Sequence, residues 1–440
     1  MRKPDPGKAC EGGHTADQPA QALLRRLFDA AVASAQPDQC VPAALPPAPA
    51  GRTVVIGAGK AAAGMAQAVE RHWNGALEGL VITRHGHALL CERITVCEAG
   101  HPVPDAAGVA ATRDMLSLLD GLTERDLVLC LISGGGSALL AAPPPGIGLA
   151  ELQATFRDLL RSGATVAQMN CIRKHLSLVA GGRLAERARP ARLVTLAISD
   201  VPGDDPATIA SGPTVADPTT RQDALATFDA LNLTPARAVR HWLAQADSET
   251  PKPGALPPSD FRLVASPQMA LDAAAAVARE AGYTPFILGS AIEGEAREAA
   301  IVHAGIAMQV RRYRQPAEPP CVLLSGGETS VTVRGNGRGG RNGEFLLALA
   351  QALRGEPAIH ALAADTDGID GTETNAGAVI GPETLAIAEA KGLPASQALE
   401  ASDAYRFFEA ADALVVTGPT HTNVNDFRAI LIDAAADERK

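Results

Sequence analysis

The chain has 440 residues, of which 46% are hydrophobic and only 3% aromatic, and its formal net charge is -10 at pH 7. That balance excludes general nucleic-acid binding, which needs a net basic face, and no apolar run is long enough to span a membrane. Seven cysteines without a C-x-x-C pair exclude a disulfide framework or a structural zinc site and point to reduced thiols in the cytoplasm.

The length fits two or three domains, and apolar content dominated by Ala, Val and Leu suits packed α/β layers. Residues 1–19 are polar, lack the apolar core of a signal peptide and are expected to be disordered. From Gln21 to Ala35 the pattern is helical, with Leu23, Leu24, Leu27 and Ala31 on one side. A proline-rich connector, 37–49, follows. Thr53-Val54-Val55-Ile56 then reads as a buried strand entering Gly57-Ala58-Gly59-Lys60-Ala61-Ala62, with a helix over 63–72. Strand, glycine turn and helix is how a parallel sheet presents a phosphate to a helix N-terminus.

Two readings compete at this turn. Gly57, Gly59 and Ala62 match the dinucleotide fingerprint G-x-G-x-x-A. The next strand, 79–83, however ends in Arg84-His85-Gly86-His87, with no carboxylate for a ribose. Arg84 leaves room only for an NADP version. The other reading gives Lys60 to a transferring phosphoryl group or a substrate carboxylate, because it stands among small apolar residues where a surface lysine has little reason to be. Walker spacing is absent, so the chain is not a P-loop NTPase.

The next strong strand, 126–132, feeds a second glycine loop, Ser133-Gly134-Gly135-Gly136-Ser137, where hydroxyls and bare N–H groups suit a polyanion. An ordinary βα turn is the plainer alternative. Within 163–187 a helix puts Asn170, Lys174 and Ser177 on one face with Arg173 beside them, either a solvated face or a set that recognises carboxylate and hydroxyl groups. The buried strand 193–198 ends at Ser199-Asp200. Asp200 there is placed to bind Mg²⁺ or to accept a hydroxyl proton. Prolines between 250 and 258 mark a linker. They divide the chain into 20–255, a connecting segment 256–316, and 317–440.

In the last part, Cys321–Leu324 is a strand entering Ser325-Gly326-Gly327-Glu328. The loop 334–341 then interleaves glycine with Arg334, Arg338 and Arg341, a density that fits an anion site better than a plain loop. Asn342 leads into a helix whose N-terminus also favours anions. Asp365 and Asp367 follow the strand 359–364 and are candidate Mg²⁺ ligands; an EF-hand is excluded, since the terminal Glu is missing and a strand precedes. The polar turn from Thr417 to Asp426, holding Thr420, His421, Thr422, Asn423 and Asn425, closes the site before the last strand.

Taken in order, Gly57-Ala-Gly59-Lys60, Ser133-Gly-Gly-Gly-Ser137, Asn170-Cys-Ile-Arg173-Lys174-His175, Ser199-Asp200-Val-Pro-Gly-Asp204, Ser325-Gly-Gly-Glu328, Gly340-Arg341-Asn342, Asp365-Thr-Asp367-Gly-Ile-Asp370 and Thr420-His-Thr-Asn423 resemble the motif set of the glycerate 2-kinases of the MOFRL type, over about 21–432. The resemblance implies an α/β fold: a Rossmann-like parallel-sheet N-terminal domain and a smaller α/β C-terminal MOFRL domain, with the active site in the cleft. It implies ATP-dependent phosphorylation of D-glycerate at the 2-hydroxyl, giving 2-phosphoglycerate, with Mg²⁺. Lys60 and Arg341 then correspond to the family's groups that act on the transferred phosphoryl. In the mechanism this implies, Arg338 assists them, Asp200 accepts the hydroxyl proton, and Mg²⁺ bridges ATP and one or more of Asp200, Asp365 and Asp367. The glycine turns hold the phosphates and Asn170 and Lys174 grip the carboxylate. An NAD(P)H-dependent reductase of hydroxypyruvate or tartronate semialdehyde, and a non-catalytic nucleotide-binding module, are the competing functions. The partners expected are small molecules, with the oligomeric state left open.

Overall fold

A computed structural model describes residues 18–434. Of the expected disordered segment, 1–17 lie outside that span, while Gln18 and Pro19 open the first helix, Gln18–Ser34. Its residues Leu24, Leu27, Phe28 and Ala31 are fully buried. Their i, i+3, i+4, i+7 spacing makes the apolar stripe of an amphipathic helix.

The chain then lays down six strands: β1 (Thr53–Ala58), β2 (Glu78–Arg84), β3 (Ile94–Ala99), β4 (Leu127–Ile132), β5 (Arg192–Ile198) and β6 (Asp260–Ala265). They form one all-parallel sheet in the order β3-β2-β1-β4-β5-β6. Every residue of β1 and β4 is buried. This is why these strands read as continuous apolar runs rather than alternating ones. The order reverses between β1 and β4, and doubly wound sheets open a crevice at the carboxyl ends of such strands. The turn holding Lys60 and the loop Ser133–Ser137 flank that crevice.

The second sheet is mixed. Its strands are β7 (Thr284–Gly289), β9 (Cys321–Gly327), β11 (Ile359–Asp365), β12 (Gly377–Ile380), β13 (Leu414–Val415) and β14 (Asp426–Ile432), in the order β13-β12-β11-β14-β9-β7. Only β7 and β9 run parallel. A short ribbon, β8 (Gly294–Glu295) with β10 (Thr329–Ser330), stands beside it. The connecting segment is shared out: β6 is the edge of the first sheet and β7 the edge of the second. The first helix crosses over as well. It packs on the helix Pro267–Glu280 and on β11 and β14 of the second sheet, with the Phe28 and Phe427 rings 5.9 Å apart.

Register makes the site. In the antiparallel pairs Asp365 lies opposite Asp426, and Asp426 opposite Gly327. The carboxyl ends of β9 and β11 and the start of β14 therefore meet in one row. Six described cysteines are free thiols, and no described helix is long and apolar enough to cross a membrane.

Gly57 has φ +156°, and a Cβ there would overlap the Leu131 carbonyl of β4. Gly57→Ala is expected to destabilise the chain by about 2–3 kcal/mol, read as a lower urea midpoint at unchanged slope.

Candidate active site

The first half of the site is built by β1, β4 and β5. After β1 the backbone turns under the neighbouring loop: Lys60 N donates to Gly134 O at 2.8 Å, and Ala61 N donates to Ser133 Oγ at 3.0 Å. This throws the Lys60 side chain over the crevice, where Nζ lies 2.8 Å from Asp367 Oδ2 of the second half. Burial alone would depress the Lys60 pKa, but Asp367, Asp365 and Asp200 together raise it, so the ammonium stays charged. Asp200, just past β5, lies against Gly134; any side chain on Gly134 would collide with its carboxylate. Across the cleft Asn423 Nδ2 donates to Asp200 Oδ2 at 2.9 Å, and Asn425 donates to the Asp200 carbonyl. Burial pushes the Asp200 carboxyl up to about 6; Lys60 opposes the rise, and Glu328 and Asp367 add to it.

The second half is the row of acids at the end of the mixed sheet. Arg341, the first residue of the helix Arg341–Leu353, spans it: Nε donates to Asp426 Oδ1 at 2.7 Å and Nη2 to Asp365 Oδ2 at 2.6 Å. Its Nη1 is 3.8 Å from Glu328 Oε1. Arg428, itself buried, takes the other oxygen of Asp426 at 2.6 Å. The turn after β11 brings Asp367 back, its N–H donating to Asp365 Oδ1 at 3.0 Å. Burial and the Asp367 charge drive the Asp365 pKa upward. For Asp367 burial is outweighed by the charge and hydrogen bond of Lys60, which hold it below the ordinary value. Carboxylates outnumber cations in this cluster.

Lys60, Asp200, Glu328, Arg341, Asp365, Asp367 and Asn423 thus converge, joined across the cleft by Lys60–Asp367 and Asn423–Asp200. Other expected site residues stand elsewhere. Lys174 is buried and paired with fully buried Asp217 at 3.2 Å, while Thr219 and Thr250 also donate to Asp217. Its ammonium is turned into the domain interior rather than toward the aspartates. Asn170 is buried too; its Oδ1 accepts from Ser211 Oγ at 3.0 Å, and Ser211 Oγ is 2.8 Å from Ser137 Oγ. Arg338 faces outward, bonded to Glu373 and stacked over Tyr405 at 4.3 Å. Asn342 supports the cluster through Asp426, at 2.8 Å. The N-terminus of its helix is already occupied: Asp370 accepts from the N–H groups of Asn342 and Gly343 at 3.0 and 2.8 Å. Thr422 Oγ1 donates to Ala35 O at 2.6 Å and ties the closing turn to the residue just after the first helix.

The glycine turns have packing reasons of their own. Gly134 makes room for Asp200, and Gly327, at φ +115°, makes room for the backbone of Ile292. Gly135 lies under the ring of His101, and Gly136 and Gly326 approach Ala210 and the Asp426 carbonyl.

Arg428 is a residue that sequence reasoning missed, and Asn425 and Asp426 were read only as part of the closing turn, with no role of their own. Asp426 looks like a turn residue until the antiparallel register brings it against Asp365. Among the described residues no group of three or more His, Cys, Asp or Glu side chains forms a metal cage. Mg²⁺ bound with a nucleotide needs only one or two carboxylates beside its phosphate and water ligands. Asp365 and Asp367, adjacent oxygen donors in a cluster with excess negative charge, fit that need.

The sequence matches the family described as a domain of unknown function (DUF4147) over residues 23–244, and the MOFRL family over 321–426. It is 52% identical to a protein named "Putative hydroxypyruvate reductase" from Agrobacterium vitis, covering 94% of this chain and 95% of that one. It is 40% identical to the D-glycerate 2-kinase of Thermotoga maritima, covering 89% of this chain and 93% of that one. The crystal structure of glycerate kinase from Thermotoga maritima superposes with a TM-score of 0.86 at 37% identity, over 94% of this chain and 100% of that chain.

Replacing Lys174 by Met leaves Asp217 buried without its cation. The variant is expected to lose about 3 kcal/mol or more of unfolding free energy, measured by urea denaturation.

Proposed function

The chain belongs to the glycerate kinase family marked by the DUF4147 and MOFRL segments, and from that membership we propose that it transfers the terminal phosphoryl group of ATP to the 2-hydroxyl of D-glycerate, giving 2-phosphoglycerate. One observation carries the reading. Lys60, in the turn after β1, pairs with Asp367 and feels the charges of Asp365 and Asp200, and Arg341, at the start of the helix beside the mixed sheet, pairs with that same Asp365. Phosphoryl transfer needs positioning and charge neutralisation above all, and two cations from opposite walls of a cleft supply both.

Each of these cations keeps donors to spare. An ammonium has three N–H groups and a guanidinium five. Lys60 donates to Asp367, and Arg341 donates to Asp365 and Asp426. The remaining protons are free to face phosphoryl oxygens while the aspartates fix the geometry. Asp200 accepts the proton of the substrate hydroxyl; a carboxyl titrating at about 6 is ionised at neutral pH yet basic enough to take a shared proton. Asn423 orients it. Asp365 and Asp367 would hold the Mg²⁺ that arrives with ATP, whose contribution is to neutralise phosphate charge.

The reductase reading draws on the strand order of the first sheet and on the name of the Agrobacterium relative. Against it, β2 ends at Arg84 where a nicotinamide dinucleotide would want a carboxylate, and the crevice is lined with groups suited to phosphoryl oxygens rather than to hydride transfer.

Incubation with D-glycerate and Mg²⁺-ATP should release ADP in step with a phosphomonoester that ³¹P NMR assigns to the 2-position. Oxidation of NADH or NADPH with hydroxypyruvate, without glycerate-dependent ADP release, would reject the kinase. Lys60→Ala is expected to lower kcat by ~10²–10³ while KM for D-glycerate moves less than tenfold. The acid limb should follow Asp200. As the base must be ionised, kcat/KM falls about tenfold per unit as pH drops below about 6. In Asp200→Asn that limb disappears and the remaining rate is ~10²–10⁴ lower.

A further inference from the structure

The helix Val166–His175 ends in Arg173-Lys174-His175, and these basic residues have different fates. Lys174 pairs with Asp217, and His175 lies between Cys171 O at 2.8 Å and Glu249 Oε1 at 3.3 Å. The Arg173 side chain makes neither a hydrogen bond nor an ion pair among the described residues. Its Nε is buried and unsatisfied, and its guanidinium lies over the Phe156 ring at 5.2 Å. Burial lowers its pKa, and no carboxylate counters the effect. A guanidinium held in this way pays for desolvation without a counter-ion, a cost that an arriving anion removes.

The surroundings of Arg173 are prepared for a small polar group. It lines a cavity of about 20 Å³ whose wall is mostly apolar and whose other polar members are Ser137, Ser177 and Ser211, room for a single water or a carboxylate oxygen. Ser137 is fixed from behind by Ser211, and Ser211 by Asn170. Ala210 and Ser211 both have positive φ, +50° and +61°. Such consecutive strained residues persist only where the surrounding packing dictates them. On the other face of the same loop, Gly135 touches His101 and the Lys60 side chain. Burial and the charges of Lys60, Arg84 and Arg173 keep the His101 ring neutral, with a pKa of about 4. The loop Ser133–Ser137 therefore carries Lys60 and Asp200 at one end and Arg173 at the other.

We propose that Arg173, with the hydroxyl of Ser137, is the anchor for the carboxylate of the substrate. The proposal rests on the glycerate reading above and gives it an orientation. In a 2-hydroxy acid the carboxylate carbon is bonded to the carbon bearing the hydroxyl. An anchor at Arg173 turns that hydroxyl back toward Asp200 and Lys60. The anchoring role considered for Lys174 passes to the residue before it, and Asn170 acts through Ser211 rather than on the ligand.

The test is equilibrium binding of D-glycerate and of its neutral amide, D-glyceramide, to the full chain, with wild type compared with Arg173→Met and Arg173→Lys. Thermal melts check that each variant is folded. Arg173→Met is expected to weaken D-glycerate about 30- to 100-fold, the loss of a charge-assisted bidentate pair, and D-glyceramide less than threefold. Arg173→Lys should fall between, because it keeps the charge but not the planar fork. KM for ATP should stay within threefold. Equal weakening of both ligands, or of neither, overturns the proposal, as does a wild type that binds glycerate no better than glyceramide. A wild type that binds D-glycerate in an Arg173-dependent way yet never phosphorylates it rejects the kinase reading and leaves the carboxylate anchor standing.

Discussion

The ion pair between Lys60 and Asp367 is the contact on which the rest depends. It joins the carboxyl end of a parallel strand to the turn beyond an antiparallel one, and so joins the two sheets at the point where chemistry is possible. Asp367 is held below its usual pKa because Lys60 is there, and Lys60 stays charged in a half-dry crevice because Asp367, Asp365 and Asp200 are there. Each group is ionised by virtue of the other, and neither sheet alone could keep its half. Burial above all, with the neighbouring carboxylates adding to it, raises the pKa values of Asp200 and Asp365. An acid poised in this way is suited to take and return a proton near neutrality.

The architecture serves to hold these two edges in register. The first helix is stitched to the second sheet although it precedes the first in the chain, and Thr422 bonds to Ala35 just beyond its end. The segment 420–425 then crosses the cleft, contacting Thr366, Asp367 and Asp200. Groups on opposite walls are thereby fixed by a mixture of backbone and side-chain hydrogen bonds, which is the kind of pre-organisation phosphoryl transfer rewards. Arg428 and Asn342 perform the same service for Asp426, and Asp370 for the helix that carries Arg341.

Much of the fold is legible in the residues because its strands are buried on both faces. Val54–Ile56, Leu127–Ile132 and Leu193–Ile198 read as strands since nothing else compact tolerates such runs between glycine turns. The mixed direction of the second sheet was not legible, as antiparallel pairing leaves no mark on a strand with both faces covered. The glycine turns were legible as turns. Their reading as bare phosphate cradles overlooked the other cause of glycine, which is a neighbour standing where Cβ would be: Asp200 at Gly134, and Ile292 at Gly327. Asn170, Arg173 and Lys174 were legible as a polar helix end, but a helix face does not reveal which of its cations already has a partner.

By itself the sequence determined the layered α/β class, the positions of the catalytic candidates at strand ends, and the family to which the motifs point. These follow from local rules: apolar runs, turn chemistry and the fixed geometry of strand, turn and helix. Only the tertiary structure decided which charges neutralise one another. It paired Lys60 with Asp367, gave Lys174 to Asp217, turned Arg338 outward and left Arg173 with no acid. The reason is physical. The free energy of a charge depends on its desolvation and on partners within a few ångströms, and those partners are brought from positions as distant as 60 and 367 by the packing of two sheets.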